Sequence, residues 1–336
     1  MASRGNGKLR LLYVLDILNQ YSDEQHPLNA SDIIGHLSKY DISAERKTIY
    51  DDIYLLEDYG CDIIKTGTPK SGWFIGNREF ETSEIYLLCD AVGSAKFISA
   101  KKTRELLSKL NSMISVHQKK ARDNSVYFSQ DDKAGNEEIY YSIDTISRAI
   151  SEKKQIKFIY TSRFLGDDRT IQKTRKEMIV NPYALAWQDD HYYIIGNHAK
   201  YDNLIHLRLD KVSTVEMLST PSRHFSEVSD YKDYFDTADY TKKLFGMYGG
   251  ELEEIELCCS KGITERVLDR FSEKIFIKKV TEDTFNFNIK AAVSPTLVTW
   301  IMNYGKDIQV VKPESLKEMI KQRAEQILES YKTSGD

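Results

Sequence analysis

Residues 43–60 constrain the fold most, because they predict one helix with a marked beginning and end. Ser43 is suited to cap the free amides at the start, and Gly60 is suited to the left-handed turn that closes a helix. At about 100° per residue, Ile49, Ile53 and Leu56 fall on one side of this helix. The stretch therefore predicts an amphipathic helix with these three residues packed inward.

The outward side of this helix carries basic, hydroxyl and aromatic groups. Its residues are Arg46, Lys47, Thr48, Tyr50, Asp51 and Tyr54. Basic and hydroxyl groups near a helix start are suited to reach phosphates and base edges in a DNA major groove. An ordinary surface helix also has a charged outer side, so the neighbouring segments must distinguish the two interpretations.

The neighbouring segments predict a helix-turn-helix followed by a hairpin. Apolar residues between Leu9 and Leu18 repeat with helical spacing, and Asn29 is suited to cap a second helix. After Gly60, two apolar runs flank a turn rich in Gly and Pro, which predicts a hairpin with Lys65 and Lys70 near its tip. Residues 1–80 are thus predicted to form a winged helix-turn-helix. Its predicted DNA-binding residues are Ser43, Arg46, Lys47, Thr48, Tyr50, Lys65 and Lys70.

Composition limits the classes of function. The 336 residues carry a formal net charge of −4, so DNA binding must come from a local basic patch. No apolar run reaches membrane-spanning length and no apolar signal core is present, which predicts a cytoplasmic protein without membrane contact. The sequence also lacks a phosphate-cradling glycine motif, a nucleophile elbow and a His-Glu-x-x-His motif. We therefore expect no enzyme activity, no catalytic residues and no cofactor.

The histidines and cysteines favour no metal site. His191, His198 and His206 could cluster across a hairpin, but no carboxylate or thiol pattern accompanies them. The four cysteines show no Cys-x-x-Cys pairing, which is typical of reduced core thiols. We expect structural or surface roles for these side chains.

Residues 81–137 change to a helical pattern. Thr82 is suited to cap one helix, residues 101–119 predict another, and the polar residues 122–137 predict a loop. Two interpretations fit these helices: an internal helical subdomain, or connecting helices that mediate dimerisation and relay a signal.

A helix over 139–153 and a series of short strands follow in residues 138–220, which predict a small β-barrel. A polar basic segment follows the first strand and contains Arg163, Arg169, Lys173, Arg175 and Lys176. Residues 178–187 predict a bent pair of strands. In the last part of the series, alternation places His206, Arg208 and Asp210 on one side and Ile205, Leu207 and Leu209 toward the core. That polar side is either a binding site or a solvated, salt-linked strand face.

The C-terminal part, residues 251–336, predicts the order strand, helix, strand, strand, helix, strand, with a last helix after Pro313. Ser294 is suited to cap the start of the second helix, Pro295 is suited to its first turn, and Gly305 is suited to its end. The order points to a ferredoxin-like fold. Residues 221–250 are predicted to be a linker.

Three segments of the strand series resemble a WYL domain. They are 181–185, 192–196 and 206–212, and Tyr192-Tyr193-Ile194 stands where the family has Trp-Tyr-Leu. Residues 47–53 resemble the recognition helix of winged-helix regulators that carry WYL domains, and residues 300–305 and 311–313 match the WYL C-terminal extension. The resemblance implies an α+β multidomain protein with an Sm/SH3-like barrel that senses a nucleic-acid or nucleotide-like effector. It also favours Tyr193 over Tyr192 beside His206, Arg208 and Lys211 as the effector-binding residues.

Together these features predict a ligand-responsive transcription regulator. We expect a homodimer that places two recognition helices on a double-stranded DNA operator, with the effector sensed by the barrel. The alternative is a non-transcriptional accessory protein that binds single-stranded nucleic acid or a nucleotide and regulates a partner enzyme.

Overall fold

The structure is a computed structural model that describes residues 6–123 and 137–332. The chain divides into two compact units, Met1–Glu137 and Glu138–Asp336. Most of the predicted polar loop at 122–137 lies outside the described residues. Among the helices that the structure describes, none combines the length and apolar character needed to cross a bilayer.

Three helices and a hairpin open the first unit. They are α1 (Asn6–Tyr21), α2 (Ala30–Leu37), α3 (Arg46–Tyr59), β1 (Ile63–Thr66) and β2 (Gly72–Ile75). Their inner sides bury a common core, which includes Ile17, Leu18, Ile33, Leu37, Ile49, Ile53, Leu56 and Trp73. The predicted inward side of the third helix, Ile49, Ile53 and Leu56, is confirmed.

The third helix begins two residues later than a cap at Ser43 predicts. Arg46 is its first residue, Glu45 precedes it without a side-chain cap, and Ser43 lies exposed outside the helix. The prediction that Ser43 caps α3 is therefore wrong. A cap side chain bonds the second or third helical amide, and those of Lys47 and Thr48 are four and five residues beyond Ser43. At the other end, Gly60 has a φ of 104°, which confirms the predicted left-handed closure.

A buried ion pair holds α3 against α1. Asp52 is 3% exposed, and its carboxylate accepts hydrogen bonds from Arg10 Nε at 2.7 Å and Nη2 at 3.1 Å. Removing one partner of a buried pair typically costs about 3–5 kcal/mol, because the other charge is left without compensation. Since Asp52 lies on the inner side of α3, the pair helps to fix which side of the helix faces outward.

The hairpin is joined to the segment between α1 and α2. Leu28 and Trp73 exchange two backbone hydrogen bonds, of 2.9 Å and 2.8 Å. Gly72 is required at this contact, because a Cβ there would lie 2.7 Å from the Leu28 backbone. Tyr50 of α3 packs edge-on against Trp73, with ring centroids 5.0 Å apart. The outer side of α3 and the hairpin are therefore held in one fixed arrangement.

Three further helices, α4 (Thr82–Ser94), α5 (Ala100–Asn111) and α6 (Val116–Asp123), complete the first unit. The predicted cap Thr82 is wrong by one residue, because Glu81 caps α4 and exchanges hydrogen bonds with Glu84. The single helix predicted over 101–119 is two helices. The chain restarts at Ser115, whose hydroxyl accepts the Gln118 amide while its own amide donates to the Gln118 side chain.

The second unit begins with α7 (Ile139–Ser151) and a five-stranded antiparallel sheet. The strands are β3 (Lys154–Leu165), β4 (Ile171–Gln188), β5 (His191–His198), β6 (Leu204–Arg208) and β7 (Val212–Pro221), in the spatial order β6-β5-β4-β3-β7. The bent pair of strands predicted over 178–187 is wrong, because these residues belong to one strand. A bulge between Pro182 and Ala184 bends it, at a proline that has no amide to donate.

Residues 221–250, predicted to be a linker, pack closely on this sheet. They contain the short helix α8 (Thr237–Lys242). Tyr240, Leu244 and Met247 are buried in one cluster with Ala184, Ala186 and Ile195 of the sheet. A segment that supplies buried aromatic and aliphatic side chains is part of the fold rather than a flexible connection.

The C-terminal part has the predicted order of elements. It comprises β8 (Leu252–Ser260), α9 (Thr264–Phe271), β9 (Ile277–Val280), β10 (Thr284–Ala292), α10 (Pro295–Met302), β11 (Ile308–Lys312) and α11 (Glu314–Lys332). The sheet order is β11-β8-β10-β9. Ser294 accepts the Leu297 amide at 3.3 Å, and Pro295 occupies the first turn, which confirms the predicted start of α10.

Candidate nucleic-acid and effector sites

The outer side of α3 presents the predicted basic groups to solvent. Arg46 and Lys47 are exposed, Tyr50 is 46% exposed, and Thr48 is half-buried. Neither Arg46 nor Lys47 forms an ion pair within the described residues. Both cations are therefore available to an external anion, and their role in DNA binding stays a prediction. Ser43 is also exposed, although it lies before the helix.

The two hairpin lysines differ in their surroundings. Lys65 is exposed on β1, whereas Lys70 in the turn forms an ion pair with Asp32 of α2 at 2.7 Å. Burial raises the pKa of Asp32, but hydrogen bonds from Lys70 and the Asn29 amide outweigh burial and hold that pKa below its ordinary value. Lys70 thus carries an internal partner with which a DNA phosphate would have to compete.

Strand pairing determines which of the two tyrosines in the WYL-like segment, Tyr192 or Tyr193, lies beside Arg208. In the ladder between β5 and β6, Tyr193 is directly opposite Arg208, and Ile195 is opposite His206. Alternation therefore puts Tyr193 and Arg208 on one side of the sheet and Tyr192 on the other. Tyr193 is partly buried, and this burial raises the pKa of its phenol.

Arg208 is held by a carboxylate two residues away. Its Nε and Nη2 donate to the two oxygens of Asp210, at 3.0 Å and 2.8 Å. Asp210 lies in a short 3-10 turn, residues 209–211, rather than in the strand. Burial raises the pKa of Asp210, yet the hydrogen bonds and charge of Arg208 outweigh burial and leave it below its ordinary value. The guanidinium is thus oriented by a fork-to-fork contact of the kind that also binds phosphate.

Two further groups belong to this neighbourhood. Burial raises the pKa of the Tyr160 hydroxyl on β3, which is also hydrogen-bonded to the Arg208 backbone. Lys211 is half-buried in the 3-10 turn, and its charge acts on Asp210. Tyr160 is not among the residues predicted from the sequence, because its place beside Arg208 follows from the pairing of β3 with β7 and not from local spacing.

The expectation that His206 stands free of the core is wrong. The residue lies beneath residues 221–250, where its Nε2 shares a hydrogen bond of 2.9 Å with the Tyr240 hydroxyl. Burial lowers the pKa of His206 to about 4. The imidazole is therefore neutral near pH 7 and offers no positive charge to an anionic ligand.

The three histidines considered for metal binding do not meet. His191 and His198 lie at opposite ends of β5, and His206 is paired with Ile195 on the neighbouring strand. No group of three metal-ligating side chains occurs among the residues that the structure describes. All four cysteines are free thiols, as the sequence predicts.

We predict that His206 resists protonation down to about pH 5. Its folded pKa lies below that of an unfolded histidine, so its contribution to stability is complete above about pH 6.5 and declines as the pH falls toward 4. The decline is at most roughly 1.4 kcal/mol per pH unit. NMR titration of the seven histidines, with His206→Gln for assignment, measures this directly. A midpoint near 6.5 would contradict the burial of this ring.

Comparison with known protein families matches two of the segments described above. The WYL domain matches residues 142–217, and the WCX domain matches residues 251–328. No curated protein matches the chain. Among solved structures, the chain is similar to proteasome accessory factor B/C (PafBC) of Arthrobacter aurescens, at 16% identity and a TM-score of 0.29. That match covers 94% of this chain and 47% of the other, so the chain spans about half the length of that relative. The chain thus contains a WYL domain followed by a WCX domain.

Proposed function

We propose that the protein is a DNA-binding transcription regulator whose affinity for its operator is set by an effector bound to the WYL domain. One observation carries the proposal: the third helix begins with Arg46 and Lys47, which are exposed and form no ion pair with any residue that the structure describes, in a chain that also contains WYL and WCX domains. The domains supply the regulatory context, and the two cations supply the chemistry of DNA contact.

The first unit supports the DNA-binding half of the proposal. Helices α1 to α3 and the β1–β2 hairpin follow the order of a winged helix-turn-helix, with α3 as the recognition helix. The exchange of hydrogen bonds between Leu28 and Trp73 ties the wing to the helices. On this arrangement Arg46, Lys47, Thr48 and Tyr50 face the groove, and Lys65 contacts a phosphate beside it.

The five-stranded sheet supports the sensing half. Its spatial order, with the last strand beside the first, is that expected of a small Sm/SH3-like barrel. Tyr193 offers an aromatic ring for stacking, and Arg208 directly opposite offers a planar fork for phosphate. Tyr193, Arg208 and Lys211 are therefore the proposed effector contacts, and the effector is nucleic acid or nucleotide-like.

His206 takes a different part in this proposal. Because it is neutral and bonded to Tyr240, it connects the sheet to residues 221–250 rather than holding a phosphate. A movement of β6 on effector binding would displace Tyr240 through this hydrogen bond. The WCX sheet, whose strands follow a ferredoxin-like order, and the helices α4 to α6 would provide regulation and dimer contacts in a homodimer.

Replacing Arg46 and Lys47 by Ala should weaken operator binding. Each lost base-edge or charged contact costs about 1–3 kcal/mol, so the double variant should bind at least roughly tenfold more weakly. Fluorescence anisotropy with a DNA duplex selected by the wild-type protein measures the change.

The matched control is Lys119→Ala with Lys120→Ala, which removes the same charge from the exposed side of α6. It should bind the selected duplex like wild type. Equal affinity of the Arg46/Lys47 variant and wild type would exclude α3 as the recognition helix and favour the accessory-protein alternative.

Replacing Arg208 by Ala should abolish the response to the effector while leaving basal operator affinity nearly unchanged. An effector shifts an equilibrium only through differential binding to two states, and this variant lacks the guanidinium that would hold its phosphate. Asp210→Asn should instead increase the affinity for an anionic effector, because it removes the charge of the carboxylate that competes for the Arg208 guanidinium.

The measurement is operator binding during titration with short single-stranded oligonucleotides and with linear and cyclic nucleotides. Lys200→Ala, an exposed cation on the same unit, is the control and should respond like wild type. A full response from the Arg208 variant would place the effector site elsewhere in the chain.

A further inference from the structure

Strands β3 and β4 continue past the sheet as a two-stranded ribbon, which we call the arm (residues 161–176). The paired residues run from Thr161 opposite Arg175 to Leu165 opposite Ile171, and the turn lies between them. Every residue from Ser162 to Lys176 is exposed except Gly166, which is half-buried. The arm therefore packs against little of the rest of its unit.

Strand alternation sorts the arm side chains into two sides. Thr161, Arg175, Arg163, Lys173, Leu165 and Ile171 lie on the outer side, which continues the exterior of the sheet at Ile159 and Glu177. Ser162, Phe164, Gln172, Thr174 and Lys176 lie on the inner side, in line with the buried Phe158. Three cations are thus gathered on one side of a narrow ribbon.

These cations are not neutralised by the part of the chain that the structure describes. Arg163, Lys173 and Arg175 form no ion pair within the described ranges 6–123 and 137–332. Arg163 stands directly opposite Lys173, an arrangement of like charges that destabilises a strand pair unless an anion lies between them. Residues 161–176 hold five cations and two acids in a chain whose net charge is −4. The arm is therefore a local basic element on an acidic protein.

The arrangement suits duplex DNA better than other anions. Neighbouring outward residues on a strand are about 6.7 Å apart, so the row can meet successive charges of a polyanion. Single-stranded nucleic acid is usually held by aromatic rings among the cations, and the outer side has no aromatic residue. An anionic membrane is disfavoured, because Asp167 and Asp168 occupy the turn beside the apolar Leu165 and Ile171. We propose that the outer side of the arm binds the sugar–phosphate backbone of double-stranded DNA through Arg163, Lys173 and Arg175.

The proposed contact is separate from both sites described above. Tyr193 lies on β5 and Arg208 on β6, and the proposed recognition residues lie on α3. Phosphate contacts carry little sequence information, so the arm would add affinity for all DNA sequences without changing the preferred one. The inference thus goes beyond the proposed operator and effector sites.

The test compares full-length wild type with the triple variant Arg163→Gln, Lys173→Gln and Arg175→Gln. The probe is a random-sequence duplex of about 30 base pairs, and affinity is measured between about 50 and 200 mM salt. Each neutralised phosphate contact reduces the salt slope by about 0.9, so the triple variant should lose between about two and three. At the lowest salt it should bind at least roughly tenfold more weakly.

The control variant Lys274→Gln, Lys279→Gln and Lys306→Gln removes three exposed cations elsewhere on the second unit and should keep the wild-type slope. Unfolding temperatures of both variants verify the fold. Equal slopes for the arm variant and wild type would overturn the proposal. So would unchanged DNA binding combined with a lost dimer in sedimentation, or with lost binding to vesicles containing anionic lipid.

A fourth protein, Arg46→Ala with Lys47→Ala, separates this inference from the proposed function. If only the arm variant loses duplex affinity, the arm contact stands and the winged-helix proposal fails. If only the Arg46/Lys47 variant loses affinity, the arm contact fails.

Discussion

The ion pair between Arg10 and Asp52 fixes the side of α3 that faces outward, and the proposed DNA contact depends on it. Ile49, Ile53 and Leu56 bury the inner side of the helix, but apolar burial is non-directional and tolerates small rotations. The two hydrogen bonds from one guanidinium to Asp52 add the direction. With that side fixed, Arg46 and Lys47 face solvent rather than the core. The edge-on contact of Tyr50 with Trp73 fixes the position of the hairpin relative to the outer side of α3.

In the second unit, strand register has the same organising effect. It puts Tyr193 opposite Arg208 and leaves His206 under Tyr240, so one strand carries both a proposed phosphate contact and a neutral connection to residues 221–250. Asp210 orients the guanidinium of Arg208 and also competes for it. An anionic effector must therefore interact with this guanidinium more strongly than the Asp210 carboxylate does. The same alternation, continued past the sheet along β3 and β4, puts three cations of the arm on one side.

The sequence predicts those features that depend on local spacing. The inward side of α3, the left-handed Gly60, the order of the C-terminal elements and the start of α10 are confirmed. The sequence could not predict partners brought together from distant positions, such as Asp52 with Arg10, Lys70 with Asp32, or His206 with Tyr240. Alternation correctly puts His206 on the side opposite Leu207, but it cannot show that residues 221–250 cover that side. Ser43 misleads because, although its residue type is suited to capping, it lies two residues before the cap position that Glu45 occupies.

The central claim is that this protein recognises particular DNA sequences under the control of an effector. Selection of bound fragments from a genomic DNA pool by the purified full-length protein, with and without a short single-stranded oligonucleotide, tests it most directly. We expect enrichment of one motif with two-fold symmetry and half-sites about one or two helical turns apart, and a change in its recovery when the effector is present. Recovery of fragments without a shared motif, at the same level in both conditions, would contradict the claim.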